Sequence, residues 1–334
     1  MKTSIFLGDA RVFRIYHGDC FAALQKEADL EPTLYTKDDV LKDPQAFSKV
    51  ETIFTTWGMP AFTEEEIRNA FPSLKAVYYA AGSVRYFAAP FLSCGVRVHS
   101  AWAANAVPVA EYTTAQILLA NKGFFKSCRL CSKERALRDE AKRYAEEKSG
   151  NFDASVGIIG AGMIGKMVIR ALKSYDLKVL AYDKFLSKEE LAALGAEKVT
   201  LDALFSRCDT ISNHIANLPE TVGMLRYEHF SRMKKNATFI NTGRGAQVVE
   251  EDLLRALLEE PDRTAILDVT DPEPPFENSK LYNLPNVFLT PHIAGSSGNE
   301  VRRMGEYMLE EYRRGVRNER FLYEVTPKML ETMA

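Results

Sequence analysis

The sequence has few cysteines, no surplus of either charge and no long apolar segment, and each absence narrows what the chain can be. Five cysteines in 334 residues are sparse and odd in number, which is unlike a disulfide framework and predicts a reducing, cytoplasmic setting. Forty-three basic residues stand against 45 acidic ones, so the chain lacks the basic field that nucleic-acid binding needs.

The most apolar stretch, 98–110, is shorter than the roughly 18–20 residues of a membrane span. The first apolar run is too short for a signal peptide. We therefore expect no nucleic-acid and no membrane partner.

The length corresponds to about two domains, and β-rich runs alternate with amphipathic stretches in two successive regions. Such alternation indicates parallel βαβ units. In the first region the predicted strands are 2–7, 33–35, 52–56, 76–79 and 96–99. In the second region they are 155–159, 178–183, 197–199, 210–214, 237–241, 264–268 and 287–289. Seven strands in the second region fit one doubly wound sheet.

Three helical segments are predicted with some detail. Thr63 and Glu66 form a capping box, and Pro72 ends the helix that they open. An apolar helix is expected over 106–125, followed by a charged run, 133–148, that is typical of a solvated helix or arm. A further amphipathic helix follows Gly298.

A glycine-rich loop follows the apolar strand at 156–159 and precedes a helix. Its first glycine permits a tight turn, its second admits a pyrophosphate close to the backbone, and its third allows close packing of helix on strand. Asp183, 23 residues after the first glycine, is placed to bind the ribose hydroxyls of the adenosine half, which favours NAD over NADP, although Lys184 weakens that selection. The loop residues that we expect to contact the dinucleotide are Gly160, Gly162, Met163, Ile164 and Gly165.

Ionisable residues follow three later strands. Arg244 lies in 241–245, Glu273 in 268–274 and His292 in 291–295. Ligands bind beyond the carboxyl ends of strands in such sheets, so these groups are candidates for the chemistry.

With these segments in view, the sequence resembles the D-isomer-specific 2-hydroxyacid dehydrogenase family over nearly its whole length. The motifs that carry the resemblance are the glycine loop, MKKNATFINTGRG at 233–245, LDVTDPEP at 267–274 and LPNVFLTPHIAG at 284–295. The resemblance implies a catalytic triad of Arg244, Glu273 and His292. It also implies that Thr242, Gly243 and Asp268 contact the cofactor, and that Ala81, Gly82 and Ser83 bind the substrate carboxylate together with Arg244.

The residue types of this triad suit reduction of a 2-keto acid. A guanidinium holds a carboxylate and polarises the neighbouring carbonyl. An imidazole donates a proton to the carbonyl oxygen and removes it in the reverse direction. A carboxylate on the second ring nitrogen orients the imidazole and stabilises its protonated form.

The fold implied is α/β, with two doubly wound parallel-sheet domains and the active site in the cleft between them. Residues 1–101 and 297–334 are expected to form the substrate domain, and 102–296 the NAD-binding Rossmann domain. A homodimer through the cofactor domain is also expected. No metal is expected, because the cysteine pair at 128 and 131 lacks further ligands.

Several features depart from the family pattern or remain open. Arg85 is either an exposed charge at a helix start or a contact for a second anionic group on the substrate. Trp57 and Trp102 line the pocket or belong to the core. Ala216 and Leu218 stand where a proline and a threonine are usual, so cofactor contacts there are in doubt.

Three questions about function stay open at this point. The first question is whether the chain is a 2-hydroxyacid dehydrogenase, an NAD(H)-sensing corepressor-like protein on the same fold, or a formate- or phosphite-type dehydrogenase. The sequence has no substrate loop that matches the formate or phosphite type. The identity of the 2-keto acid is open from glyoxylate to aromatic acids. A phosphoglycerate substrate is the weaker expectation, because no regulatory domain follows the tail.

Overall fold

The computed structural model describes residues 2–331, so Met1 and residues 332–334 of the expected substrate domain lie outside it. The chain divides into two compact units, Met1–Ala106 with Ser296–Ala334, and Val107–Gly295. That division is close to the expected domain boundaries, and the roles assigned to the two domains stay predictions for the first unit. Within the described residues, no helix is long and apolar enough to cross a membrane.

The strands follow the predicted alternation closely. They are β1 Ser4–Leu7, β2 Leu30–Tyr35, β3 Thr52–Thr55, β4 Ala76–Tyr79, β5 Arg97–Ser100, β6 Phe152–Ile159, β7 Asp176–Tyr182, β8 Glu197–Lys198, β9 Thr210–Asn213, β10 Thr238–Asn241, β11 Thr264–Leu267, β12 Val287–Leu289 and β13 Glu324–Val325.

The helices lie between these strands, except for α15, which follows β13. They are α1 Arg11–Ile15, α2 Asp19–Glu27, α3 Lys37–Lys42, α4 Glu64–Ala70, α5 Ala88–Ser93, α6 Trp102–Asn121, α7 Phe124–Lys133, α8 Arg138–Glu146, α9 Met163–Leu172, α10 Lys188–Leu194, α11 Leu201–Arg207, α12 Tyr227–Phe230, α13 Glu250–Glu259, α14 Val301–Val316 and α15 Pro327–Leu330.

The first unit contains a six-stranded sheet in the order β13-β5-β4-β3-β1-β2. Apolar residues on both faces bury the sheet between two core layers, so Ile5 packs in one layer and its neighbour Phe6 in the other. The parallel sheet is confirmed except at one edge, where β13 pairs antiparallel with β5. A strand of two residues has no hydrophobic period that a sequence could reveal.

The second unit contains the predicted seven-stranded sheet. Its order is β12-β11-β10-β9-β6-β7-β8, and every pairing is parallel. Because β6 lies between β7 and β9, the strand order reverses at β6, which is where such sheets bind ligands. Ile158 and Ile159 at the end of β6 pack into opposite core layers.

The capping box of α4 is confirmed. The Thr63 hydroxyl accepts a hydrogen bond from the Glu66 amide at 3.2 Å, and the Glu66 carboxylate accepts one from the Thr63 amide at 2.8 Å. The helix ends at Ala70, before Pro72. Local sequence signals are therefore enough to predict where α4 begins and ends.

One prediction for residues 102–148 is corrected and another is confirmed. The apolar helix is two helices, α6 and α7, because Gly123 adopts a left-handed conformation with φ of 67° between them. The charged run contains a mostly exposed helix, α8, as predicted, and only Ala141 and Tyr144 of this helix are buried. The Tyr144 hydroxyl lies 3.0 Å from the Thr264 hydroxyl at the start of β11, so α8 packs on its own unit. The homodimer stays a prediction.

Candidate active site

The glycine loop after β6 is shaped by two close backbone approaches. Gly160 has φ of 87°, and a Cβ there would lie 2.9 Å from the His214 carbonyl oxygen. A Cβ on Gly165 would lie 2.1 Å from the Gly160 carbonyl oxygen. Neither position accepts a side chain, so glycine is required for the turn itself and for the packing of α9 on β6.

Gly162 differs from both, because a Cβ there would meet no heavy atom within 4 Å. It is the N-cap of α9, whose first-turn amides, those of Met163, Ile164 and Gly165, come before the first intrahelical hydrogen bond, from Lys166 to Gly162 at 3.0 Å. Open space beside amides at a positive helix end suits a pyrophosphate. The glycine loop therefore fits a dinucleotide.

Asp183 follows β7 and already holds the loop together. Its Oδ2 accepts a hydrogen bond from the Ala161 amide at 2.7 Å, and its Oδ1 accepts from the Phe185 and Leu186 amides at 2.8 Å each. An ionised carboxylate has about four acceptor positions. Three are occupied by the chain, which leaves room for about one ribose hydroxyl rather than two.

Arg244 sits in the turn after β10, and that turn is fixed by side-chain amides. Asn241 accepts a hydrogen bond from the Gly243 amide at 3.1 Å and donates one to the Arg244 carbonyl at 3.1 Å. Asn213, at the end of the neighbouring strand β9, donates to Asn241 at 3.1 Å and to Gln247 at 2.6 Å. All three amides are buried.

The turn that carries Arg244 packs directly against the loop that carries Glu273. A Cβ on Gly245 would lie 1.9 Å from the Thr270 carbonyl carbon, so only glycine permits this approach. Burial lowers the pKa of the Arg244 guanidinium, and the negative charge of Glu273 opposes that shift. The two side chains therefore share one electrostatic neighbourhood.

His292 completes this group. Its Nδ1 lies 2.7 Å from Oε1 of Glu273, with both side chains about half exposed. The backbone of His292 has φ of 53°, which is uncommon for a residue with a side chain. Its amide donates to the Asp268 and Thr290 carbonyls at 3.1 and 3.0 Å, which holds the residue in that conformation.

Asp268 is a buried carboxylate beneath the histidine loop, 2 % exposed. It accepts hydrogen bonds from the Thr290 hydroxyl at 2.6 Å and from the Ile293 and Ala294 amides at 2.9 Å each. These contacts order the segment on both sides of His292. The predicted contact between Asp268 and the nicotinamide stays a prediction.

The other residues predicted to bind the cofactor or substrate lie at strand ends. The Thr242 hydroxyl is buried and lies 3.1 Å from that of Thr113. In the first unit, the predicted carboxylate loop follows β4, where Ser100 donates hydrogen bonds to the Ala81 and Gly82 carbonyls at 2.9 and 2.7 Å. Ser83 follows in the same loop.

Three residues left open by the sequence have clear surroundings. Trp57 and Trp102 are partly buried and pack against the core clusters of the first unit. The ring of Trp102 meets that of Tyr323 edge-on at 5.7 Å. Arg85 is exposed in the loop before α5, which agrees with its location near a helix start.

Sequence reasoning missed the buried amides and Ser100. Asn213 and Asn241 are the last residues of two buried strands and are partners in register. A polar amide as the final residue of each of two neighbouring apolar strands is the signal that could have found them. Within residues 2–331, no group of three or more His, Cys, Asp or Glu side chains is arranged to hold a metal ion.

Comparison with known proteins assigns the second unit. Residues 115–294 match the family model of the D-isomer specific 2-hydroxyacid dehydrogenase, NAD binding domain. The chain belongs to this family. Residues 115–294 are thus an NAD-binding domain, which confirms the cofactor expected from the glycine loop.

Relatives with curated names include phosphoglycerate dehydrogenases. The chain is 32% identical over 217 residues to D-3-phosphoglycerate dehydrogenase of Archaeoglobus fulgidus, covering 65% of this chain and 40% of that protein. It is 31% identical over 252 residues to the same-named protein of Mycobacterium tuberculosis H37Rv, covering 75% and 46%. The chain thus spans less than half of the length of these relatives.

Solved structures agree over nearly the full chain. Apo D-mandelate dehydrogenase of Rhodotorula graminis superposes with a TM-score of 0.83 at 21% identity, covering 98% of each chain. D-lactate dehydrogenase with NAD⁺ from Lactobacillus jensenii gives 0.73 at 20% identity, covering 97% of this chain and 99% of the other. At this identity the likeness shows the fold, and the two-domain α/β fold is confirmed.

Proposed function

We propose that this family member interconverts a D-2-hydroxy acid and a 2-keto acid with NAD, with Arg244, Glu273 and His292 as the catalytic residues. The observation that carries the proposal is the hydrogen bond of 2.7 Å between His292 and Glu273, on loops that pack against the turn of Arg244. An imidazole, a carboxylate and a guanidinium in one neighbourhood match the needs of carbonyl reduction.

In the direction of reduction, bound NADH would supply the hydride for C2 of the keto acid. His292 donates a proton from Nε2 to the carbonyl oxygen, because Nδ1 faces Glu273. Glu273 keeps the ring in the tautomer and orientation that this transfer needs, and it stabilises the positive charge before the proton leaves.

Arg244 binds the substrate carboxylate and polarises the carbonyl. Its guanidinium is partly buried, and Nη1 donates to the Gly243 carbonyl at 2.8 Å, which fixes the side chain and leaves other N–H groups for the substrate. A guanidinium with little water around it makes stronger bonds to a carboxylate than an exposed one. The predicted role of the Ala81 amide is wrong, because that amide is buried and donates to the Tyr79 carbonyl at 2.9 Å. We propose that the loop amides of Gly82 and Ser83 contribute to carboxylate binding.

The test is a panel of 2-keto acids with NADH, followed by loss of reduced-nicotinamide absorbance. The panel contains glyoxylate, hydroxypyruvate, pyruvate, phosphorylated hydroxypyruvate, and branched, aromatic and dicarboxylic acids. We expect turnover with at least one acid by the wild type and none by His292→Ala, which should still bind NADH. Intact NADH binding without turnover of any acid would contradict the proposal and favour an NAD(H) sensor.

The same panel decides the two interpretations of Arg85. If Arg85 contacts a second anionic group, Arg85→Ala should raise KM for phosphorylated and dicarboxylic acids and leave KM for pyruvate unchanged. If it is only an exposed charge, all KM values should stay at the wild-type level.

A further inference from the structure

Helix α7 carries two exposed thiols one helical turn apart, Cys128 and Cys131. No residue of this helix is buried. Two other cysteines are unlike them, because burial raises the pKa of the Cys20 and Cys208 thiols to about 12. Buried thiols of that kind are inert toward disulfides, whereas exposed ones are accessible to exchange. Neither the proposed reaction nor NAD binding uses the exposed pair.

The spacing of the pair allows a bond between the two sulfur atoms. Side chains three residues apart on a helix have Cβ atoms about 5–6 Å apart, and a disulfide needs about 3.5–4.5 Å. Closing the bond therefore requires a local change of about 1–2 Å in the helix. Such a change acts on the residues between the two cysteines.

Arg129 is one of those residues, and it ties α7 to the segment that leads into β12. Its guanidinium donates hydrogen bonds to the Leu284 and Pro285 carbonyls at 3.1 and 2.7 Å and to the Val287 carbonyl at 2.9 Å. It also lies over the ring of Phe288, 3.9 Å from the ring centre. The Arg129 side chain thus contacts three carbonyls and one aromatic face.

From β12 the connection continues to the candidate catalytic histidine. Thr290, the residue after β12, donates to Asp268 at 2.6 Å. The Asp268 carbonyl accepts the His292 amide at 3.1 Å. One contiguous set of contacts within the second unit therefore connects the cysteine pair to the loop of His292, through Arg129 and β12.

We propose that Cys128 and Cys131 form an oxidisable dithiol whose oxidant is a small disulfide of the glutathione class. One cysteine thiolate attacks a sulfur of glutathione disulfide, and one glutathione thiolate leaves. The second cysteine thiolate attacks the mixed disulfide, and the second glutathione leaves. Two electrons pass from the cysteines to the oxidant, and the two protons lost by the cysteines are taken up by the two glutathione thiolates. The intramolecular disulfide displaces Arg129 and loosens the segment 284–294.

The first experiment measures the thiols and needs no enzyme activity. Reduced protein is equilibrated with glutathione buffers of stepped ratio, quenched with an alkylating reagent and mapped by peptide mass spectrometry. We expect the loss of two thiols and a cross-link between Cys128 and Cys131. Cys128→Ser and Cys131→Ser should each abolish the cross-link, and Cys94→Ser should retain it. Stable glutathione adducts without the cross-link, or no loss of thiols, would overturn the proposal.

The second experiment measures the effect of oxidation on residues 284–294 by amide hydrogen exchange. Oxidation should raise exchange there by about tenfold or more, because the loss of even one charge-assisted hydrogen bond corresponds to about tenfold. Arg129→Met should show the faster exchange in both redox states. A cross-link that forms without any change in this segment would overturn the coupling. A third measurement, kcat before and after oxidation, should show a fall, and it alone rests on the proposed function. If the proposed function is wrong, the thiol mapping and the hydrogen exchange still decide this proposal.

Discussion

The Nδ1 atom of His292 lies 2.7 Å from Oε1 of Glu273, although the two residues are 19 positions apart on different loops. The contact leaves Nε2 as the ring nitrogen that does not face the carboxylate. Because the loop of Glu273 packs against the turn of Arg244, the three groups act within one small region of the second unit.

Replacing the carboxylate should slow the reaction and spare the cofactor. Glu273→Gln keeps an acceptor for Nδ1 but removes the charge that stabilises the protonated ring, so kcat should fall by about 10²-fold or more. Steady-state kinetics measures this, and NADH fluorescence should give an unchanged Kd. Glu277→Gln, an exposed change in the same loop, is the control. Wild-type kcat in Glu273→Gln would show that the carboxylate has no catalytic role.

Two glycines of the loop, Gly162 and Gly165, should respond differently to an added methyl group. Gly165→Ala should fail to fold or unfold at much lower temperature, because its Cβ would lie 2.1 Å from a backbone oxygen. Gly162→Ala should fold normally, because its Cβ meets no protein atom, but it should weaken NADH binding, because it occupies the space beside the first amides of α9. Thermal unfolding and NADH titration measure the two effects. A Gly162→Ala protein with wild-type NADH affinity would place the pyrophosphate elsewhere.

Asp183 should contribute both to the stability of the fold and to the preference for NADH over NADPH. Asp183→Ala removes the acceptor of three backbone amides, so the free energy of unfolding should fall by about 1–3 kcal/mol. It also removes the negative charge that opposes a 2′-phosphate, so the ratio of NADPH to NADH affinity should rise by about tenfold or more. Asp176→Ala, an exposed change at the start of the same strand, is the matched control. A wild-type protein that prefers NADPH would contradict this role.

His214 should make the fold sensitive to acid. Burial lowers the pKa of its imidazole to about 4, whereas the unfolded chain has the ordinary value of about 6.5. The unfolded state therefore binds the proton first, and stability is lost as pH falls from about 6.5 toward about 4. In urea unfolding across this range, His214→Gln should lose less stability than the wild type. Parallel curves for the two proteins would mean that His214 does not titrate in this way.

Most of the fold could be predicted because strands, caps and the glycine loop have local signals. The predicted strands 76–79 and 287–289 have the same bounds as β4 and β12, because apolar runs between turn residues determine buried parallel strands. The break between α6 and α7 was missed because it depends on one glycine in a left-handed conformation inside an otherwise helical pattern. Burial of Tyr144 in α8 was missed because it depends on a distant strand, β11.

The residue types of the candidate site could be predicted, but their contacts could not. Arg244, Glu273 and His292 stand in recognisable motifs at strand ends. The amide network of Asn213, Asn241 and Gln247 depends on strand register and on a turn that returns to the same edge. The three bonds of Asp183 to backbone amides likewise depend on how the loop after β7 folds. The sequence shows the polar residues at these strand ends, but it does not show which atoms they contact.

The most direct test of the central claim follows the transferred hydrogen. The protein is incubated with NADH that carries deuterium at both C4 positions of the nicotinamide and with the 2-keto acid that the panel identifies. The product is analysed by nuclear magnetic resonance and chiral chromatography. We expect deuterium at C2 of a D-2-hydroxy acid that the wild type forms and His292→Ala does not form. An L-product, a product without deuterium at C2, or equal formation by His292→Ala would contradict it.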